Sequence, residues 1–332
     1  MSPVRRDPAI VDISNPAVLE QVAIRDGYGR GVVLAGEADE RVVVLCADLT
    51  ESTRNHWFAE KFPHRFIQVG VAEQNLAVIA SGMAATGKIP FIVSYATFSP
   101  GRNNEQIRTN ICLNNMPVKV IGAHAGVSVG PDGATHQALE DIALMRVLPR
   151  MVVVVPCDAV EARKATVAIA TNDSPSYLRL SREKTSVITT DKTPFQIGKA
   201  LVLREGSDVA IIACGIMVYE ALRAAAQLAQ DGINATVINN HTIKPLDEKT
   251  ILTVAKKCGA VVTAEEHQIA GGMGSAISEL LAKKLPTPVE FVGIDDHFGE
   301  SGTPAELIQK FGLDATAIGD AVRRALARKS TT

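Results

Sequence analysis

A carboxylate stands at the head of an apolar helix in FIQVGVAEQNLAVIA, residues 66–80, where Glu73 follows a short strand and a turn. Its apolar neighbours Val71, Leu76 and Ile79 should favour the protonated carboxyl, the form suited to sharing a proton. An acidic residue there can also do no more than complement its own helix dipole. Other polar groups recur at strand ends. Asp48 and Ser52 follow RVVVLCADL (41–49), Phe98 and Arg102 follow IPFIVSYA (89–96), and His124 closes PVKVIGAH (117–124). A glycine-rich loop, HAGVSVGPDGATHQALED, then carries Asp132 and His136, and Arg182 lies just beyond SYLRL (176–180). Taken singly, Asp48 suits an Asx-turn. Either histidine suits a hydrogen-bonded loop, Arg182 a solvated charge, and the loop glycines a backbone need. Taken together, carboxylates, imidazoles and guanidinium groups gather on one edge, which a purely structural protein has little reason to arrange.

The elements that must position them alternate strand and helix. RFIQVG (65–70) and MVVVVP (151–156) complete the strand candidates of the first half, with helical patterns near 74–86, 102–114, 139–148 and 158–171. These strands are apolar on both faces, the pattern of a parallel sheet covered by helices. A polar, Thr- and Lys-rich stretch breaks the rhythm and reads as a linker over 186–199. A second α/β unit follows, with strands near 208–215, 234–240, 259–266 and 289–295. Helices are expected at 218–229, 247–257 and 273–284, and two more over 304–327, broken near Gly312. The expected fold is α/β, two doubly wound domains: 1–185, mostly parallel sheet, and a smaller unit over 200–332. In such sheets ligands bind beyond the carboxyl ends of the strands.

Composition narrows the class. The 332 residues are 46% hydrophobic and 21% charged, enough for sizeable cores. A net charge of −2 argues against nucleic acid or a membrane surface as the main partner. The five cysteines are scattered and lie at no metal-ligand spacing, so they read as reduced core thiols and point to a cytoplasmic protein. The N-terminal MSPVRRDPAIVD has no apolar h-region. No apolar run approaches the roughly 20 residues that span a bilayer.

The motifs GVAEQNL, YATF, GPDGATHQALED and RLSR resemble the pyrimidine-binding domain of transketolase-type, thiamine-diphosphate-dependent enzymes. TAEEHQIAGGMGSAISELL and GIDDHFGESGTPAELIQKFGL resemble the C-terminal domain of the same family. A Gly-Asp-Gly marker of the diphosphate- and Mg²⁺-binding domain does not occur, and Gly271-Gly272-Met273-Gly274 lacks the spacing of a phosphate loop. The resemblance therefore implies the C-terminal half of a split transketolase. A separate N-terminal subunit would supply Mg²⁺ and the diphosphate pocket, and self-association into a dimer would give a heterotetramer.

The same resemblance implies roles. Glu73 would hydrogen-bond the aminopyrimidine of thiamine diphosphate, Phe98 would pack against that ring, and Asp48 would lie near the cofactor. His136 would stand near the transferred two-carbon unit and Asp132 would read a sugar hydroxyl. Arg25, Ser52, His124 and Arg182 would bind the phosphate of a sugar phosphate. Gly101, Arg102 and Asn104 stand where the best-known relatives continue an aromatic cluster. The implied activity is ketol transfer between sugar phosphates, with a branched or sulfonated sugar as a variant. A deoxyxylulose-phosphate-synthase-like or 2-oxo-acid-dehydrogenase-β-like subunit is an alternative, as is a non-catalytic assembly subunit.

Overall fold

Runs of β-branched residues too apolar to face water form the strands of two helix-covered sheets. The computed structural model describes residues 10–329, so most of the N-terminal stretch read for a signal peptide lies outside the described residues. The first half begins with β1 (Gln21–Ala23), α1 (Ile24–Ala38), β2 (Val42–Cys46), α2 (His56–Lys61), β3 (Phe66–Gln68) and α3 (Glu73–Ala85). It continues through β4 (Ile89–Tyr95), α4 (Asn104–Gln106), β5 (Lys119–Ala123), α5 (Asp141–Arg146), β6 (Val152–Val154), α6 (Ala159–Ala170), β7 (Ser176–Arg179) and β8 (Lys184–Ser186). The second half holds β9 (Leu201–Arg204), β10 (Val209–Ala213), α7 (Met217–Leu228), β11 (Ala235–Asn239), β12 (Thr242–Lys244) and α8 (Glu248–Cys258). It ends with β13 (Val261–Gln268), α9 (Met273–Lys284), β14 (Val289–Ile294), α10 (Pro304–Lys310) and α11 (Ala315–Lys329).

The first sheet runs β12-β6-β7-β5-β4-β2-β3 and is parallel except for β12. Every residue of β2 and β5 is buried, as a sheet covered on both faces requires. The chain lays β3 on one side of β2 and β4 on the other, which makes the crevice between β2 and β4 a topological switch point. The second sheet runs β14-β13-β10-β11-β9, parallel except for the edge strand β9. The pair α10 and α11 breaks at Gly312, whose φ of +64° suits glycine. All five cysteines are buried and unbridged.

Three features differ from the sequence patterns. Helix α1 is absent from them, because Gly27, Gly29, Gly31 and Gly36 weaken its helical signal. Packing supplies what propensity lacks: a Cβ on Gly27 would lie 2.0 Å from the Ala159 carbonyl oxygen, and one on Gly31 would lie 2.7 Å from Thr166 Cβ. The stretch read as a linker is partly structural. Asp158, fully buried, accepts from the backbone N–H groups of Ile188 (2.9 Å) and Thr189 (2.6 Å). Lastly, β12 leaves the second unit and pairs antiparallel with β6 of the first sheet.

Candidate active site

Adjacent strands deliver their carboxyl ends to one edge. Glu73 opens α3 beyond β3, and its side chain is 2% exposed. One carboxylate oxygen accepts from Arg102 Nη1 at 2.7 Å, and the other lies 3.4 Å from the Ser94 hydroxyl. Asn103 donates to the Glu73 backbone carbonyl at 2.9 Å, tying the head of α3 to the turn that leads into α4. The surroundings are therefore not the apolar set expected from sequence. Leu76 is buried in the core, but Val71 is 69% exposed and an arginine takes its place beside the carboxyl. Leu76, three residues on, packs into the core, and it is Arg102, Ser94 and Asn103 that reach Glu73.

Phe98 lies one turn beyond β4. Its ring stacks with Tyr95 at 6.3 Å and meets the imidazole of His136 edge-on at 5.3 Å. The Arg102 guanidinium lies 4.8 Å from the Phe98 ring centroid. His136 is held from the loop by the Thr135 hydroxyl, 2.9 Å from Nδ1.

His124 ends β5 with a φ of +55°, a conformation a non-glycine residue adopts only when its surroundings impose it. It is 1% exposed and lies under Tyr95, ring centroids 4.0 Å apart. Its Nε2 is 3.1 Å from Arg25 Nη1 and 3.4 Å from the Ser52 hydroxyl, which itself pairs with Tyr95 at 2.7 Å. Arg25 Nη1 also donates to the Ser52 carbonyl at 2.8 Å. Burial, then the positive charges of Arg25, Arg182 and Arg54, push the His124 imidazole down to about 3. The ring is thus neutral, and His124 Nδ1 and Arg25 Nε are buried without a partner.

Arg182 donates to the Val129 carbonyl at 2.9 Å and lies 3.7 Å from the Asp132 carboxylate. The two residues lean on each other across the glycine-rich loop. The loop is pinned from the second unit. Gln137 donates to the Val127, Gly130 and Glu300 carbonyls. The Glu266 carboxylate accepts from the Ser128 N–H at 2.6 Å. Gly126, at φ +91°, passes so close that a Cβ there would lie 2.2 Å from Glu266 Cδ.

The structure thus joins Arg25, Ser52 and His124 directly, links them through Tyr95 to Phe98 and His136, and reaches Glu73 through Arg102. Arg182 and Asp132 form a second pair, of which Arg182 bears on His124 electrostatically. Asp48 makes none of these side-chain contacts. It sits exposed after β2 at φ +60°, its N–H donating to Gln68 Oε1 at 2.7 Å. Tyr95 and Arg102 are the residues that sequence reasoning passed over as site members. Tyr95 had a signal, a phenol at the carboxyl end of a strand that is apolar but for Ser94. A separate cleft of about 590 Å³ lies against α9 and β13. Its carboxylates Glu140, Glu279, Asp295 and Asp296 make it acidic, unlike the arginine cluster around His124.

The transketolase pyrimidine-binding domain matches residues 20–187, and the transketolase C-terminal domain matches 198–318. A 6-deoxy-6-sulfo-D-fructose transketolase subunit from a Clostridium species is 42% identical over 94% of this chain and 97% of its own length. The Homo sapiens transketolase is 35% identical over 97% of this chain, but only 53% of that protein takes part. A solved split-gene transketolase, an inactive beta4 tetramer, matches with a TM-score of 0.88 at 45% identity, covering 93% of this chain and 99% of that one. The chain belongs to the transketolase family and corresponds to its C-terminal half, a pyrimidine-binding domain followed by a C-terminal domain.

Proposed function

We propose that this chain is the catalytic C-terminal subunit of a two-chain, thiamine-diphosphate-dependent transketolase that moves a two-carbon ketol unit between sugar phosphates. The observation that carries the reading is the convergence of a buried carboxyl, an aromatic face and a cationic cluster on one strand edge. When bound, thiamine diphosphate supplies the nucleophilic carbon that breaks and makes the carbon–carbon bond.

The residues fit such a group. The Glu73 carboxyl can hold a proton at a ring nitrogen, and the Phe98 face can take an aminopyrimidine in offset stacking. Tyr95 stacks with Phe98 and is itself packed against His124. His136, edge-on to Phe98, is placed to donate to or accept from an oxygen of the transferred unit, and Asp132 to orient a sugar hydroxyl. Asp48, on the same edge, is assigned to the cofactor's surroundings. At the other end Arg25, Ser52, His124 and Arg182 form an anion cradle, and the free Arg25 Nε and His124 Nδ1 are donors or acceptors awaiting a ligand. Guanidinium groups make charge-assisted, directional bonds to phosphate oxygens. Binding energy gathered there can position the reacting carbons.

The diphosphate and Mg²⁺ are assigned to a separate N-terminal subunit, a reading supported by the likeness to a transketolase subunit and to a split-gene transketolase, of whose own lengths this chain covers 97% and 99%. Two copies of each subunit in a cytoplasmic heterotetramer is the assembly proposed, closed two-fold symmetry being the commonest arrangement. A sulfonated sugar is a second reading, favoured by the 42% identity to the sulfofructose enzyme subunit and by a cradle that would accept either anion. The test is a ketol-transfer assay on this chain reconstituted with the N-terminal subunit, thiamine diphosphate and Mg²⁺, using phosphorylated, sulfonated and uncharged ketoses. Wild type should turn over an anionic ketose in preference to the uncharged one, and Glu73→Gln should lose most activity, on the order of 10²-fold or more. Near wild-type turnover by Glu73→Gln would remove the assignment.

A further inference from the structure

The Arg102 guanidinium touches both residues assigned above to the cofactor ring. It is planar, carries N–H donors along its edge, donates to Glu73 Oε2 at 2.7 Å and lies 4.8 Å from the centroid of Phe98. An aminopyrimidine held by Glu73 and Phe98 would use the same two partners in the same way: an edge donating to the carboxyl and a face on the phenyl ring. The two groups would compete for Glu73 Oε2 and for the same face of Phe98. The guanidinium also has somewhere to go, because the Arg102 side chain is 49% exposed whereas Glu73 is 2% exposed.

We propose that Arg102 is an internal stand-in for the aminopyrimidine, a latch over the cofactor pocket that must swing into solvent before the cofactor enters. The inference rests on the reading of Glu73 and Phe98 given above. The latch has a second use. It keeps a buried carboxylate paired, and a buried charge without a partner is costly. It also keeps other planar cations off the ring face. Its cost falls on cofactor affinity, since a ligand that binds only the open form has its apparent Kd raised by the reciprocal of the open fraction. A half-exposed ion pair joined to a cation–π contact holds a latch closed by on the order of tenfold.

The test is calorimetric titration of thiamine diphosphate with Mg²⁺ into the reconstituted two-subunit complex. Arg102→Ala should bind the cofactor about tenfold tighter than wild type. Arg102→Met, which keeps the side-chain stem over Phe98 and so protects against a folding defect, should also bind more tightly. Arg102→Lys, which keeps the charge but not the plane, should fall between wild type and Arg102→Ala. Equal or weaker binding by both Arg102→Ala and Arg102→Met would overturn the latch. A Glu73→Ala arm separates the two claims. If Glu73→Ala binds as wild type does, the functional reading fails and the latch with it. If Glu73→Ala loses binding while the Arg102 variants gain nothing, the latch alone is lost.

Discussion

His124 shows how a single side chain is set for its task by what surrounds it. Its imidazole lies under Tyr95 and against Arg25, and burial followed by the neighbouring guanidinium charges pushes it down to about 3. A neutral ring in an anion cradle can donate or accept one hydrogen bond without adding to the mutual repulsion of Arg25 and Arg182. The unfolded chain regains an ordinary histidine near pH 6.5. Between that pH and about 3 the unfolded state holds a proton that the folded state lacks, so stability falls as pH falls through this window. His124→Asn should make the acid limb of a stability-against-pH curve shallower by about one proton. An NMR titration should find the wild-type imidazole neutral down to pH 4, and a midpoint near 6 would contradict the burial argument. Most of the site was legible at this scale because acids, histidines and arginines at strand ends are visible in one dimension. Arg102 was visible as a polar group after a strand and as a departure from an aromatic pattern, but without a role. Its contacts with Glu73 and Phe98 come from the turn that follows β4, which no spacing rule predicts.

At the scale of elements, α1 and α6 show packing overriding propensity. Gly27 and Gly31 lie one turn apart on the face of α1 that meets Ala159, Arg163 and Thr166 of α6. The close approach matters to the site because Arg25 projects from the first turn of α1 toward His124 and Ser52. Gly27→Ala should cost about 1–3 kcal/mol by overpacking, read from the denaturant midpoint, because the obstacle is backbone and cannot rotate away. Weaker phosphate-substrate binding should accompany it as α1 shifts. Strands such as β2, β4 and β5 were legible because unbroken β-branched and apolar runs suit sheets covered on both faces. Helix α1 was not, because glycine reads as a helix breaker until its partner helix is known. Strand β12 was missed for a related reason: three residues have no periodicity, and their partner lies far upstream in the chain.

Across the whole molecule, the two units are joined by buried charge as well as by apolar surface. Arg179, at the end of β7, donates to Asp141 Oδ2 at 2.8 Å and to the Glu266 carbonyl of β13 at 2.7 Å. Burial works against its charge, but the carboxylates of Asp141 and Glu266 hold the guanidinium above its usual value. Tyr177 donates to the same Asp141 oxygen at 2.6 Å. Arg179→Met should therefore destabilise the protein by about 3–5 kcal/mol, leaving Asp141 buried and unpaired, and should loosen the loop carrying Asp132 and His136. Chemical denaturation together with hydrogen exchange over residues 126–137 would check this, and unchanged protection in that loop would show that the second unit does not brace it. The strand exchanged between the units has a consequence for inheritance. Because Thr242–Lys244 hems the margin of a sheet otherwise encoded upstream of residue 180, a polypeptide severed between the halves would leave β6 with a row of bare peptide groups inviting other chains to pair. Gene fusion and shuffling must therefore carry this pair of lobes together, as one hereditary unit.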